Sequence, residues 1–271
     1  MMTDFGVTDG AVSEMKGVAY GVSPDLLISD LSHQISGIWD GAYRLYQVAP
    51  YWPKGTVFVT VVDPGVGTSR LSIAAHTRAG HIYVGPDNGL YTLIDEVEGI
   101  DEVRMIDETT NRLRGSEASN TFHGRDVFGY TGARLAAGVI NFSQVGPVVP
   151  AANLVRLSYQ RPARVGDALV GMIPALDVQF GNVWSNIPAK MFEEAGFKPG
   201  QMVKVDFLHD GKPAGSVIAP FTRTFGDVPL GKPLVYINSL LAVSVALNQG
   251  NYARDHAIGS GPGWSVRVSK P

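Results

Sequence analysis

Along the first half of the chain, hydrophobic positions follow two different periods. Residues 54–62 (KGTVFVTVV) are almost continuously apolar and β-branched and end at Asp63-Pro64-Gly65. That pattern predicts a strand buried on both faces and running into a tight loop. Residues 71–76 and 81–84 predict two more strands, joined as a hairpin through Arg78-Ala79-Gly80. Elsewhere the period lengthens. In 37–48, Ile38, Ala42, Leu45 and Tyr46 share one helical face, and 126–137 predicts another helix. Strands and helices alternate in this way to about Val139.

The pattern then changes. Pro147, Pro150 and Pro162 bracket a stretch without periodicity, which suits a linker between domains. Beyond it, residues 168–173, 202–208, 233–237 and 264–268 predict short strands separated by Gly and Pro turns, with little helix. The expectation is an α/β domain over residues 1–149, a linker over 150–164, and a smaller domain over 165–271 built as a β-barrel or sandwich. A chain of 271 residues with 45% hydrophobic composition is long enough for two such cores.

Composition removes several classes of function. The chain has no cysteine, which excludes disulfides, thiolate metal sites and cysteine nucleophiles. Its formal net charge is −3 with no long run of one sign, so nothing favours nucleic acid or an anionic membrane over a small-molecule partner. No apolar run is long enough to span a bilayer, and the N-terminal MMTDFGVTDG lacks the features of a secretory signal, so a soluble, cytoplasmic protein is expected. No His-x-x-x-His or similar pair is present, and no metal is expected.

Four polar, glycine-rich segments stand out in the apolar first half. Asp4, in Thr3-Asp4-Phe5-Gly6, follows a short strand and offers two oxygens to a ribose cis-diol; capping the next helix, by Asp4 or by Asp9, is the alternative. Asp63 and Arg70 flank a loop with two glycines and could meet as a charge-assisted pair, in a site or simply closing the loop. Gly85-Pro86-Asp87-Asn88-Gly89 satisfies turn chemistry completely and reads as support for a site without direct catalysis. His123, in Asn-Thr-Phe-His-Gly-Arg-Asp before a helix, could be a general base, a donor or a cap. In the second half, Asp177, Phe180, Asn182 and Trp184 combine a carboxylate, an amide and aromatics suited to a purine bearing a cationic group. Tyr236 to Ser239 ends an apolar strand with hydroxyls that could hold an amino-acid carboxylate.

Read together, these segments resemble the S-adenosyl-L-methionine hydroxide adenosyltransferase family, which is related to the bacterial fluorinase and chlorinase. The resemblance runs through TDFG at Asp4, MKG at Lys16, a Pro…Asp…His segment over 24–33, VVDPGVG with Arg70, GPDNG, FHGRD, FGN at Asn182 and INS at Ser239. It implies a Rossmann-like N-terminal domain, a C-terminal β-barrel, and a homotrimer whose sites lie between subunits. It also implies that Asp63, Arg70 and His123 form a triad around an attacking water, while Asp4 holds the ribose. Asp177, Ser239 and Asp9 would then take the methionine end, and Phe180, Asn182 and Trp184 the adenosine, with Trp39 and Tyr236 as further binding residues. The implied reaction is hydrolysis of S-adenosyl-L-methionine to adenosine and methionine, with no cofactor beyond that substrate.

Two rivals follow from the same residues. A halogenase would present halide to the same carbon, but its relatives replace the residues matching Asp63 and His123, and a carboxylate beside the nucleophile disfavours an anion. A non-catalytic protein that holds S-adenosylmethionine or adenosine is the other. A dehydrogenase or methyltransferase of Rossmann type is disfavoured, because no G-x-G-x-x-G opens a helix after a first strand.

Overall fold

The computed structural model describes residues 1–271, which divide into two compact units, Met1–Leu157 and Ser158–Pro271. The first unit is built on one six-stranded sheet of β1 (Met2–Thr3), β2 (Val57–Val61), β3 (Ser72–Thr77), β4 (Ile82–Pro86), β5 (Ile100–Met105) and β6 (Val148–Val149). Its strand order is β1-β2-β4-β3-β5-β6. β1, β2 and β4 run parallel, with Thr3 opposite Val61 and Val57 opposite Ile82. β3 and β4 form the predicted hairpin, turned at Gly80 with a φ of 86°.

Helices α1 (Ala11–Val22), α2 (Ile38–Val48), α3 (Thr92–Glu98) and α4 (Tyr130–Ala136) complete the unit. Two apolar clusters form its core, one containing Leu45, Phe58, Val62, Ile73 and Tyr83, the other Met15, Val59, Val61, Val84 and Phe128. Phe58 and Val59, adjacent in β2, fall in different clusters, as expected of a strand whose alternate side chains are buried on opposite faces. The helix predicted at 126–137 starts earlier and differently, as a π-helical turn over Gly124–Gly129 that runs into α4. Glycine permits this close packing: a Cβ on Gly124 would lie 2.8 Å from the Phe5 ring, and one on Gly132 only 2.3 Å from Val59 Cγ2.

The second unit holds β7 (Ala163–Val165), β8 (Ala168–Met172), β9 (Ala175–Asp177), β10 (Asn182–Pro188), β11 (Met202–His209), β12 (Lys212–Pro220), β13 (Pro233–Ile237), β14 (Ala242–Leu247) and β15 (Trp264–Ser269), with short helices α5 (Ala189–Glu194) and α6 (Tyr252–Asp255). The strands form two open sheets, β13-β14-β10-β9 and β12-β11-β15-β8-β7, packed around a shared core that includes Leu169, Val183, Phe207, Val245 and Val266. The expected barrel is therefore not closed. Just past β12, Phe221 is bridged to Val235 of β13, but no ladder joins the two strands. Pro220 ends one of these strands and Pro233 begins the other, and a proline has no N–H to extend the ladder. The molecule is thus a mixed α/β protein with three sheets. No helix is long and apolar enough to cross a membrane.

Candidate active site

Loops leaving the C-terminal ends of parallel strands are where α/β folds gather ligands. Here β1 and β2 end side by side and each delivers an aspartate. Asp4 follows β1, its N–H donating to Val61 O at 3.2 Å, and the N–H of Asp63, just past β2, donates to Asp4 Oδ2 at 3.2 Å. Partial desolvation raises the Asp4 carboxyl above its ordinary 3.8; the Asp63 N–H opposes that shift and the Asp63 charge adds to it.

Beyond Asp63 the chain turns twice, with Val66 N–H on Asp63 O and Thr68 N–H on Gly65 O. The loop then brings Arg70 back onto Asp63. Arg70 Nε donates to Asp63 Oδ1 at 3.0 Å and to Oδ2 at 3.1 Å, and Nη2 donates to Oδ2 at 2.5 Å. Nη1 donates to Ser72 Oγ at 2.9 Å, and the guanidinium carbon lies 5.1 Å from the centre of the Phe128 ring. Both charged side chains are buried, at 9% and 3% exposure. A charge so buried persists only when paired and hydrogen bonded, as this one is.

His123 precedes the π-helical turn and is buried. Its Nδ1 lies 3.0 Å from Arg70 Nη2. A guanidinium only donates, so Nδ1 accepts and the ring proton sits on Nε2. Burial, and after it the Arg70 charge, lowers the His123 pKa below 6.5, which keeps the ring neutral near pH 7. Nε2 is buried and has no partner in the protein. A stranded buried donor costs about 1–3 kcal/mol and is a state that a polar ligand would relieve.

In the second unit, Asn182 Nδ2 donates to Asp177 Oδ2 at 3.1 Å, and Trp184 Nε1 donates to Tyr236 Oη at 3.3 Å. Burial pushes the Tyr236 hydroxyl up to about 12, so it stays protonated. Phe180 is 63% exposed, and Ser239 is exposed just past β13.

Models of two domains match this chain: the SAM hydroxide adenosyltransferase N-terminal domain over residues 1–146 and the C-terminal domain over 171–265. The chain belongs to the SAM hydroxide adenosyltransferase family. It is 36% identical to the (R)-S-adenosyl-L-methionine hydrolase of Salinispora tropica, over 98% of this chain and 95% of that one. It is also 31% identical to a fluorinase of an Actinoplanes species, over 99% and 96% of the two chains. The solved structure of an uncharacterized conserved protein from Thermotoga maritima superposes with a TM-score of 0.90 at 29% identity, covering 99% of this chain and 98% of that one.

Of the residues singled out in the sequence, the structure brings Asp4, Asp63, Arg70 and His123 together, and pairs Asp177 with Asn182 and Trp184 with Tyr236. Asp9 Oδ1 accepts the N–H of Ala11 at the start of α1. Trp39 lies in the first turn of α2. No group of three or more His, Asp or Glu side chains is gathered as a metal would need.

Sequence reasoning missed Ser72 and Phe128, although Ser72 stands two residues after Arg70, where a strand returns to the same face. It read the GPDNG turn as support, and Asn88 Nδ2 in that turn donates to Val62 O at 2.8 Å, one residue before Asp63. It also missed Asn238, a buried amide whose oxygen accepts the N–H groups of Leu240 and Ala242 while its nitrogen has no partner in the protein.

Proposed function

We propose that this protein hydrolyses S-adenosyl-L-methionine to adenosine and L-methionine, by in-line attack of water on the ribose 5′ carbon. Methionine leaves as a neutral thioether, so no acid is required, and the reaction releases one proton. What the protein must do is hold the water, accept its proton and exclude bulk solvent. The observation that carries this reading is a buried carboxylate and a neutral imidazole oriented by one guanidinium, with a single imidazole donor unspent.

The roles follow from that arrangement. His123 donates its Nε2 proton to one lone pair of the water, leaves the other lone pair for carbon, and makes the O–H more acidic. Asp63 takes the proton. Its Oδ1 carries only one guanidinium contact and has a lone pair to spare. Arg70 fixes both partners and holds the imidazole tautomer. Asp4 holds the ribose hydroxyls; Asp9, Asp177 and Ser239 take the methionine end; Trp39, Phe180, Asn182, Trp184 and Tyr236 surround the adenosine. The named relatives favour the (R) epimer at sulfur as substrate. Within the same reading the parallel strands β1, β2 and β4 are the Rossmann-like part of a domain over residues 1–149, joined through 150–164 to one over 165–271, in a cytoplasmic homotrimer.

The test is to incubate the protein with S-adenosylmethionine and separate the products, with and without chloride or fluoride. Adenosine should form in halide-free buffer and carry 18-oxygen at its 5′ position when made in labelled water. Asp63→Asn should lower kcat by about 10²–10⁴-fold. Accumulation of 5′-halo-adenosine in preference to adenosine would establish the halogenase reading instead, and substrate bound without turnover would establish a binding protein.

A further inference from the structure

A second polar network lies directly beneath the Asp4 turn and has no part in the proposed proton chemistry. Thr3, the last residue of β1, is completely buried, and its Oγ1 accepts the N–H of Phe5 at 3.3 Å while meeting His33 Nδ1 at 2.8 Å. His33 is itself buried, at 6% exposure. Its carbonyl accepts the N–H of Gly6 at 2.6 Å, and the carbonyl of Ser32 accepts the N–H of Thr3 at 3.0 Å. On the far side of the ring, Nε2 lies 3.1 Å from Asp30 Oδ1, close but not aligned as a hydrogen bond. Asp30 Oδ2 in turn accepts Lys16 Nζ at 2.6 Å. Burial raises the Asp30 carboxyl, but Lys16 and the neighbouring His33 outweigh that and hold it below its ordinary 3.8.

The chain of contacts therefore runs from Lys16 on α1, through Asp30 and His33, to the hydroxyl of Thr3 and the backbone on both sides of Asp4. Lys16 and Asp30 are a third or so exposed and contribute little stability by themselves. The buried Thr3–His33 pair adds no more net stability than an apolar pair of the same volume could supply. What the polar pair adds is direction. It fixes the Thr3 rotamer and, through the Phe5 N–H, the angle at which the Asp4 side chain leaves the sheet.

We infer that His33 is a positioning residue for the ribose-holding carboxylate of Asp4, acting through the Thr3 hydroxyl, with Asp30 and Lys16 holding its ring. The inference rests on the reading of Asp4 as the ribose ligand. Ribose contacts are equally strong before and during reaction, so loosening Asp4 weakens binding without slowing the chemical step.

Adenosine affinity by calorimetry and steady-state kinetics with S-adenosylmethionine test this on the full chain. Thr3→Val, nearly isosteric, should raise the adenosine Kd and the KM together by about tenfold, the size of one lost hydrogen bond, with kcat within about twofold. His33→Leu should match it, and His33→Asn, whose amide reaches the Nδ1 position, should recover most of the loss. In an Asp4→Asn background, Thr3→Val should add nothing further. A Thr3→Val penalty of equal size in that background, or a fall in kcat at unchanged KM, would overturn the inference. If Asp4→Asn weakens adenosine binding and Thr3→Val does not, the relay fails while the ribose assignment stands. If Asp4→Asn leaves adenosine binding unchanged, the ribose assignment fails and takes the relay with it.

Discussion

Two buried histidines lie toward opposite ends of the same parallel strands, and the contrast between them separates structure from chemistry. His81, at the start of β4, has an acceptor at each nitrogen: Glu98 Oε1 at 2.9 Å from Nδ1 and Trp52 O at 3.1 Å from Nε2. Glu98 is satisfied in turn by the hydroxyls of Tyr83 at 3.1 Å and Thr77 at 2.8 Å. Burial, and after it the Glu98 charge, raises the Tyr83 hydroxyl so that it remains a donor. His123, beyond the other end, has one nitrogen satisfied by Arg70 and the other left over. Both rings are buried and both belong to clusters that contain a carboxylate. The closed network has nothing left with which to act, whereas the open one has a single donor to spend on a reactant.

That contrast can be broken in measurable ways. His123→Phe should lower kcat by about 10²–10⁴-fold while leaving the urea midpoint almost unchanged, because it removes a positioned proton donor and also a stranded polar atom. His81→Phe should do the reverse: kcat of the folded enzyme holds, and stability falls by about 3–5 kcal/mol as Glu98 loses its partner, read from urea unfolding. If both substitutions reduced kcat alike, the distinction between the two sites would be lost.

pH sharpens the same comparison more gently. His123 must be neutral to accept from Arg70, and its pKa is lowered, so kcat/KM should stay level down to pH 6.5 and fall below it as the ring gains a proton. Between the lowered value and 6.5 the unfolded chain binds more protons than the folded one, so stability rises with pH across that interval. His123→Phe should remove that slope. The smallest effect expected is from Phe128→Leu, which removes the ring under Arg70 and should reduce kcat severalfold, consistent with a cation–π contact of about 0.5–2 kcal/mol.

Much of the first unit was legible in the sequence, because strong local patterns wrote it there. The apolar run before Asp63 became β2, and Arg78-Ala79-Gly80 became the hairpin turn. The meeting of Asp63, Arg70 and His123 was legible only in outline. Periodicity gives no contact between residues 53 positions apart, and the tautomer of His123 depends on one 3.0 Å distance to Arg70. Sequence context singled out His123 and not His81, but the partners that close one network and leave the other open could not be read there. The second unit was read correctly as short strands with little helix, and the strand pattern left barrel and sandwich open, whereas the barrel that the resemblance implied is not closed. Strand patterns carry no record of how the first and last strands meet, and here prolines at the strand ends interrupt that junction.

Arg70 has a consequence for how such a site can change over generations. One guanidinium sets the carboxylate, the imidazole and a serine hydroxyl at once, so the three chemical groups form a single heritable unit. Replacing Asp63 alone would strand a buried cation, and replacing Arg70 alone would free both a buried anion and a ring. Sequences that lose Asp63 or Arg70 alone would carry an unpaired buried charge, whereas loss of His123 leaves the Arg70–Asp63 pair intact. A lineage that moves away from this arrangement therefore gives up the imidazole more cheaply than either member of the ion pair.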